Sequence, residues 1–350
     1  MHQAIFNYDK EFQLESGEKI PAFHLQYTTY GKLNSAKSNV VWVFHALTAN
    51  SEPESWWSGL IGEGKFFDLE KYYIVCANIF GSPYGSLFPL DINPNTGKKY
   101  YHDFPIFTFR DIVHGFQLLK NYLGIEKIFV GIGGSLGGMQ LLEWAIEQPH
   151  VFENIIPLCS AAKTSPWAIA LNASQRMSIE ADATWKEKRD DAGINGLKVA
   201  RSIALLSYRD HHAYNATQQG VTEDTKDLPI NKKIYRADTY QRYQGEKLAK
   251  RFNAFSYYFI THTLDSHNVG RNRISAENAL RNITANALII GISTDILFSV
   301  EEQKFMADNI PNAELHIIDS IYGHDGFLLE FAAIEKIITL FLNKKINEYK

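Results

Sequence analysis

Short, continuous apolar segments recur along the chain and are separated by polar or amphipathic stretches. They cover residues 40–47, 72–80, 127–134, 154–161, 286–293 and 313–319. Continuous rather than alternating apolarity is typical of strands that are buried on both faces, as in a parallel sheet. We therefore predict a parallel sheet built from these segments.

Two other patterns surround these strands. Residues 12–27 alternate apolar and polar positions around Ser16, Gly17 and Glu18, which predicts an antiparallel hairpin with one buried face. Residues 110–123 and 137–147 carry apolar side chains at helical spacing. Strands that alternate with amphipathic helices indicate the α/β class.

Residues 163–285 break the alternation, because they contain almost no strand-like segment. Amphipathic helices are instead expected around residues 166–181, 196–208 and 239–257. A chain of 350 residues is long enough for two domains, or for one α/β domain with an insertion. We predict the second arrangement, with a core formed by 1–162 and 286–350 and a helical lid formed by 163–285.

Composition and charge exclude several classes of protein. Lys and Arg number 35 against 39 Asp and Glu, a formal charge of −4, which lacks the basic excess that nucleic-acid binding requires. Cys76 and Cys159 lie in apolar segments and are predicted to be buried strand thiols, so a disulfide framework is excluded. Neither a signal peptide nor a membrane-spanning segment of ~18 apolar residues is recognisable, and a cytosolic location is expected.

The most informative segment is Gly133-Gly134-Ser135-Leu136-Gly137, which follows a predicted strand and precedes a predicted helix. A serine on such a tight turn needs glycine neighbours, and the turn projects its hydroxyl above the sheet. The helix N-terminus behind it presents N–H groups to a developing anion. Without context, a five-residue match of this kind is a simple tight turn in roughly half of cases. The strand before it and the helix after it favour a nucleophilic serine instead.

A nucleophilic serine requires an acid and a histidine later in the chain. Asp295 and His324 follow the last two predicted strands, and His324 is the only one of 12 histidines in such a position. Taken singly, Asp295 fits a helix cap and His324 a loop residue, but together with Ser135 they predict a catalytic triad. The backbone amides of Leu47 and Leu136 are the expected oxyanion hole.

Three other segments partly match known functional motifs, but each lacks a residue that its motif requires. The segment Gly59–Lys65 has the spacing of a phosphate-binding loop, but Phe66 occupies the position of the magnesium-binding Ser or Thr. The Gly131–Gly133 segment begins a dinucleotide fingerprint, yet Leu136 replaces its third glycine. The pair His211-His212, and His262 with His267, have neither a nearby cysteine nor a clear i, i+4 pair, so no metal site is expected.

A set of specific motifs covers nearly the whole chain. They are His45-Ala46-Leu47-Thr48, Gly133–Gln140, Arg251-Phe252-Asn253-Ala254, Leu264-Asp265-Ser266-His267 and Gly323–Leu328. In these motifs the chain resembles the homoserine O-acetyltransferases of the α/β-hydrolase superfamily. The resemblance implies an α/β-hydrolase fold, a mostly parallel sheet of about eight strands with a helical lid insertion. It also implies a homodimer through the lid helices.

The same resemblance implies an activity. Ser135 would take an acetyl group from acetyl-CoA and pass it to the hydroxyl of L-homoserine in a ping-pong cycle, giving O-acetyl-L-homoserine for methionine biosynthesis without a further cofactor. Arg209 matches the arginine that binds the acceptor carboxylate, and Asp325 the residue that binds its ammonium group.

Alternatives stay open at this point. They are a sibling transferase that uses succinyl-CoA or accepts L-serine, an ester hydrolase with the same triad, and a binding protein on an inactive scaffold. The loop Gly81–Leu90 departs from the family pattern, which leaves the acyl group undetermined.

Overall fold

The computed structural model describes residues 1–348 and contains one mixed sheet of eight strands. In chain order they are β1 (His2–Tyr8), β2 (Phe23–Tyr30), β3 (Val40–Phe44), β4 (Tyr73–Ala77), β5 (Ile128–Gly134), β6 (Phe152–Leu158), β7 (Asn286–Ile292) and β8 (Ala313–Ile318). Their order across the sheet is β1-β2-β4-β3-β5-β6-β7-β8. Strand β2 pairs antiparallel with β1 and β4, and the remaining pairs are parallel. The predicted fold class is confirmed.

Helices cover the sheet and fill the long connection between β6 and β7. They are α1 (Pro53–Trp56), α2 (Phe109–Tyr122), α3 (Leu136–Glu147), α4 (Pro166–Glu180), α5 (Ile194–Tyr208), α6 (His211–Thr217), α7 (Arg236–Ala249), α8 (Ala254–Asp265), α9 (Ala276–Arg281), α10 (Val300–Asn309) and α11 (Phe331–Glu348). We call residues 163–285, which include α4 to α9, the lid segment. A 3₁₀ turn at Gly323–Leu328 follows β8. In the described part of the chain no helix is long and apolar enough to cross a membrane.

Apolar side chains on both faces of the central strands build the core. All five residues of β3 are buried, with Trp42 and Phe44 packing against Trp144 on one face. Val41 and Val43 belong to the apolar cluster of the opposite face, which α11 covers. Burying a large apolar side chain contributes about 1.5–3 kcal/mol. The strand ends that carry the predicted site therefore rest on a tightly packed platform.

The predicted hairpin at 12–27 is only partly correct. Phe12–Gln13 pairs with Lys19–Ile20 in a short ribbon, but the long antiparallel partner of β2 is β1. Strand β1 lies at the sheet edge, and Phe6 is its only buried residue. An edge strand with so little buried surface lacks the apolar periodicity on which strand prediction depends.

Two further predictions need correction. The single helix expected around 239–257 is two helices, because the Asn253 side chain accepts a hydrogen bond from Ser256 N and caps a new helix, α8. Cys76 lies within β4 as predicted, whereas Cys159 follows β6 in a left-handed conformation (φ 45°). The apolar segment continues past the strand because Cys159 stays buried in the turn.

Candidate active site

Ser135 lies in a sharp turn between β5 and α3. Its φ of 58° and ψ of −125° place it in a strained region for a residue with a side chain, which costs on the order of 1–3 kcal/mol. The turn requires glycine at two neighbouring positions. A Cβ at Gly137 would lie only 2.2 Å from the Phe44 carbonyl oxygen, and a Cβ at Gly133 only 2.7 Å from the Gly137 backbone. The Ser135 amide donates to the Leu158 carbonyl at 2.8 Å, which anchors the turn to β6. Backbone strain of this kind is often found at functional sites, which supports the prediction for Ser135.

Asp295 and His324 form a buried pair at the ends of β7 and β8. The Asp295 Oδ2 lies 2.7 Å from His324 Nδ1, and the two residues are 5% and 4% exposed. The other carboxylate oxygen accepts hydrogen bonds from the amides of Leu297 and Phe298 at 2.8 and 3.0 Å. These bonds fix the carboxylate, so Nδ1 carries the proton and Nε2 is the basic atom of His324.

Burial and charge act in opposite directions on His324. Burial disfavours its charged form, but the charge of Asp295 and its hydrogen bond outweigh burial, with smaller contributions from Asp325 and Glu302. The pKa of His324 is therefore raised above its ordinary value. A raised pKa makes the imidazole a stronger base, and it stabilises the imidazolium that forms when a proton is taken from serine.

The amides of Leu47 and Leu136 face no acceptor among the hydrogen bonds of the described residues. Leu136 is the first residue of α3, where a helix has no internal acceptor for its N–H groups. The Leu47 amide lies in the turn after β3. Both amides therefore lack an acceptor within the described part of the chain, which the predicted oxyanion hole requires.

Two buried side chains hold this pair of amides. His45 Nε2 accepts from Ile79 N at 3.1 Å, so its Nδ1 donates to the Ala46 carbonyl at 2.9 Å. Burial lowers the pKa of His45 to about 4, which keeps the ring neutral. Gln140 Nε2 donates to the carbonyls of His45 and Leu136 at 3.1 and 3.2 Å. The motifs contain both residues, but only the structure reveals that they tie the two amide-bearing segments together.

Ser135 and His324 line one cavity of about 80 Å³. The rest of its wall consists of Ala46, Leu47, Thr48, Arg201, Tyr208, Asp325, Phe327 and Leu328. Asp325 lines the cavity, whereas Arg209 is not part of its wall and donates from Nε to Asp325 Oδ2 at 3.2 Å. Sequence reasoning missed Arg201 and Tyr208. Their spacing of seven residues places them on one face of α5, and that periodicity was the available signal.

The loop Gly81–Leu90 reaches the rim of this cavity. The Tyr84 hydroxyl lies 3.5 Å from the Thr48 carbonyl, and Thr48 is part of the cavity wall. Arg251 from the lid segment donates to both Thr48 and Tyr84. The loop that departs from the family pattern thus contacts the segment bearing the Leu47 amide.

This arrangement of strands and loops defines an α/β hydrolase, and the family model described as "alpha/beta hydrolase fold" matches residues 39–331. The chain is 49% identical to the homoserine O-acetyltransferase of Cyclobacterium marinum over 341 residues, which cover 97% of this chain and 95% of that protein. It belongs to the homoserine O-acetyltransferase family, as its motifs predicted.

Solved structures agree with this fold. The crystal structure of the homoserine O-acetyltransferase from Bacillus anthracis superposes with a TM-score of 0.89 at 26% identity, covering 98% of this chain and 97% of that one. The crystal structure of esterase E22 superposes with a TM-score of 0.86 at 24% identity, covering 97% and 99%. The esterase likeness concerns the fold alone.

Proposed function

We propose that the protein transfers an acetyl group from acetyl-CoA to the hydroxyl of L-homoserine through an acetyl ester on Ser135. The observation that carries this proposal is the cavity in which Ser135 and His324 meet a half-buried carboxylate and an arginine from the lid segment. A plain hydrolase needs the serine and the histidine, but it has no need of two opposite charges next to them. An amino-acid acceptor has two opposite charges of its own.

In the first half-reaction His324 Nε2 takes the hydroxyl proton as Ser135 Oγ attacks the thioester carbonyl carbon. The carbonyl oxygen becomes an anion and is bound by the amides of Leu47 and Leu136, an interaction worth about 10²–10³ in rate per donor. The C–S bond then breaks, and the CoA sulfur leaves with the proton from His324. Acetyl-Ser135 and CoA are the products.

The second half-reaction reverses these roles. The homoserine hydroxyl gives its proton to His324 Nε2, and its oxygen attacks the carbonyl carbon of acetyl-Ser135. The same two amides bind the oxyanion. Ser135 Oγ leaves and recovers the proton, which frees O-acetyl-L-homoserine and restores the enzyme.

Transfer exceeds hydrolysis only if the acceptor hydroxyl is held in place and water is excluded. We assign the ammonium group of the acceptor to Asp325, which lines the cavity next to His324. Burial raises the pKa of Asp325, while Arg209, Arg201 and His324 oppose that effect. Arg209 stays the predicted partner of the carboxylate, and its Nε bond to Asp325 leaves the terminal amino groups available.

The names of the relatives favour the acetyl donor over the succinyl donor, because the protein of Cyclobacterium marinum that is 49% identical to this chain is a homoserine O-acetyltransferase. An acetyl group is much smaller than a succinyl group, which would also bring a second carboxylate towards Asp325. Acetyl-CoA is therefore the first donor to test.

A homodimer and a cytosolic location are further parts of this proposal. Large apolar side chains are exposed on the lid segment, among them Met177, Val199, Leu206 and Tyr243. These side chains belong to α4, α5 and α7, and α5 packs against both other helices, so the exposed apolar residues lie on neighbouring elements, as in many protein interfaces. Light scattering of the purified protein tests the dimer, and a monomer would contradict it.

Thiol release tests the proposed activity. The protein is mixed with acetyl-CoA alone, with L-homoserine and with L-serine, and Ser135→Ala serves as the control. Rapid release that requires L-homoserine and disappears in the variant is the expected result. Release without any acceptor would favour a hydrolase, and dependence on succinyl-CoA or L-serine would favour a sibling transferase. No release from any acyl-CoA would overturn the proposal.

A further inference from the structure

Ser160 lies in the turn after β6 and contacts the Ser135 turn from this neighbouring strand. Its hydroxyl donates a hydrogen bond to the Ser135 carbonyl oxygen at 2.9 Å, and Ser160 is completely buried. The same carbonyl also accepts from the amides of Gly138 and Met139, which belong to the helix that follows it. Among the described residues, Ser160 is therefore the only hydrogen-bond partner of this carbonyl outside α3.

The Ser135 carbonyl and the Leu136 amide belong to one peptide group, which is trans. A peptide group is planar, and in the trans form its C=O and N–H bonds point in opposite directions. A hydrogen bond that fixes the direction of the carbonyl therefore also fixes the direction of the N–H. Since the Leu136 amide is one of the two proposed oxyanion donors, the Ser160 hydroxyl acts on that donor without touching the substrate.

Two elements of the core hold the turn that carries Ser160. Gln303 on α10 is completely buried and donates from Nε2 to the Ser160 carbonyl at 2.6 Å. Cys159, the preceding residue, has a φ of 45°, a region that residues with a side chain rarely adopt. Its amide donates to the Ile290 carbonyl at 2.8 Å. The turn is therefore tied to both α10 and β7.

Gly138 provides the space for the contact between Ser160 and the Ser135 carbonyl. It lies one position beyond the glycine-flanked serine motif, in the first turn of α3, so the motif itself does not require it. Glycine is also unfavourable within a helix. A Cβ at this position would lie only 2.6 Å from both the Cβ and the Oγ of Ser160. The close approach of the Ser160 side chain therefore accounts for this glycine.

We propose that Ser160 is a positioning residue for the reaction, because its hydroxyl orients the peptide group whose N–H binds the oxyanion. The inference rests on the proposed function, since it concerns the oxyanion that forms in acetyl transfer. Both half-reactions pass through an oxyanion at the same two amides. Loss of the hydroxyl should therefore slow both half-reactions by the same factor and leave substrate binding unchanged.

The first test compares Ser160→Ala with the wild type in each half-reaction. Stopped-flow release of thiol from acetyl-CoA gives the rate of acetylation, and decay of the acetyl-enzyme with L-homoserine gives the rate of transfer. We expect both rates to fall roughly 10-fold, which is part of the 10²–10³ that a complete oxyanion donor contributes. Equal slowing of the two steps leaves KM for both substrates unchanged. The pH–rate profile should also keep its position, because the hydroxyl acts on the oxyanion donor and not on the base.

Two further variants separate positioning from a general loss of structure. Gly138→Ala fills the space beside the Ser160 hydroxyl and should slow both half-reactions equally, although alanine favours the helix. Ser178→Ala is the matched control, because it removes a serine hydroxyl that bonds the carbonyls of Gln175 and Gly196 in the lid segment. This variant should keep wild-type rates in both half-reactions.

An unchanged rate in Ser160→Ala, a loss confined to one half-reaction, or a rise in KM without a change in kcat would overturn the inference. If the wild type releases no thiol from any acyl-CoA, it is the proposed function that fails. Methylboronic acid then tests Ser160 directly, because its tetrahedral adduct with an activated serine places an oxygen at the oxyanion donors. Its affinity should be roughly 10-fold weaker for Ser160→Ala. Equal affinity for the variant and the wild type would overturn the inference.

Discussion

The carboxyl ends of the strands and the lid segment hold the side chains of the proposed site in different ways. After β7, Asp295 makes three hydrogen bonds, one of them with His324. Both residues are almost fully buried. In the lid segment, Arg209 makes one ion pair with Asp325, and the charge of Arg201 also acts on Asp325. The side chains of the proposed chemical step are therefore fixed by the core, whereas those proposed to bind the acceptor have few partners of their own.

The strongest test of the core side of this comparison is Ser135→Ala. Loss of the nucleophile should reduce acetyl transfer on the order of 10⁵-fold or more, because no ester can form. Steady-state thiol release with L-homoserine measures the loss. Ser174→Ala, an exposed serine of α4, should retain wild-type activity. Substantial transfer by Ser135→Ala would place the nucleophile elsewhere.

Asp295→Asn removes the charge that orients His324. We expect a loss of about 10⁴-fold in kcat, because the wrong tautomer is then favoured. The variant also loses the main charge that raises the pKa of His324. Since the base must be neutral, the acidic limb of the pH–rate profile should move to lower pH. Asp319→Asn, an exposed carboxylate between β8 and His324, is the control, and an acidic limb that stays in place would contradict this account.

Asp325→Asn changes a residue that lies next to His324 and also pairs with Arg209 of the lid segment. It should lower kcat/KM for L-homoserine about 10- to 100-fold, because the ammonium group loses a charged partner. The acetylation burst should stay within a few-fold of wild type, since Asp325 adds only a minor share to the raised pKa of His324. Asp308→Asn on the exposed side of α10 is the control. A lost burst would assign Asp325 to the core chemistry instead.

Gln140→Met removes the hydrogen bonds that link the two amide-bearing segments while conserving most of the side-chain volume. We expect kcat to fall about 10-fold with little change in KM, because misplaced oxyanion donors weaken only the transition state. Kinetics on acetyl-CoA and L-homoserine check this. A selective rise in KM would show that Gln140 contributes to substrate binding instead.

The smallest expected effect concerns stability in acid. Burial lowers the pKa of His45, which follows β3, and of His267 in the lid segment to about 4. The unfolded chain therefore binds more protons, and stability should fall as the pH drops from about 6.5 towards 4, on the order of 1 kcal/mol per pH unit for each histidine. Urea midpoints at pH 7 and pH 5 measure the fall. His267→Asn should reduce it, and an unchanged difference would contradict the assignment.

Much of the core could be predicted from sequence, because its signals are local. Continuous apolar segments mark the buried strands, and a glycine-flanked serine after one of them marks the turn at Ser135. The sequence pattern did not predict edge strand β1, because Phe6 is its only buried residue. Sequence reasoning missed Arg201 for a different reason, because its place in the cavity wall depends on how α5 and the turn at His324 come together. A local sequence pattern cannot predict which distant segments come together to form a cavity.

The most direct test of transfer through Ser135 is the mass of the intact protein and of its proteolytic peptides after brief mixing with acetyl-CoA, followed by addition of L-homoserine. The account predicts a gain of one acetyl group on the peptide that contains Ser135, and its rapid loss, with formation of O-acetyl-L-homoserine, once the acceptor is added. An unmodified protein that nevertheless makes the product, or an acetyl group that L-homoserine fails to remove, would contradict it.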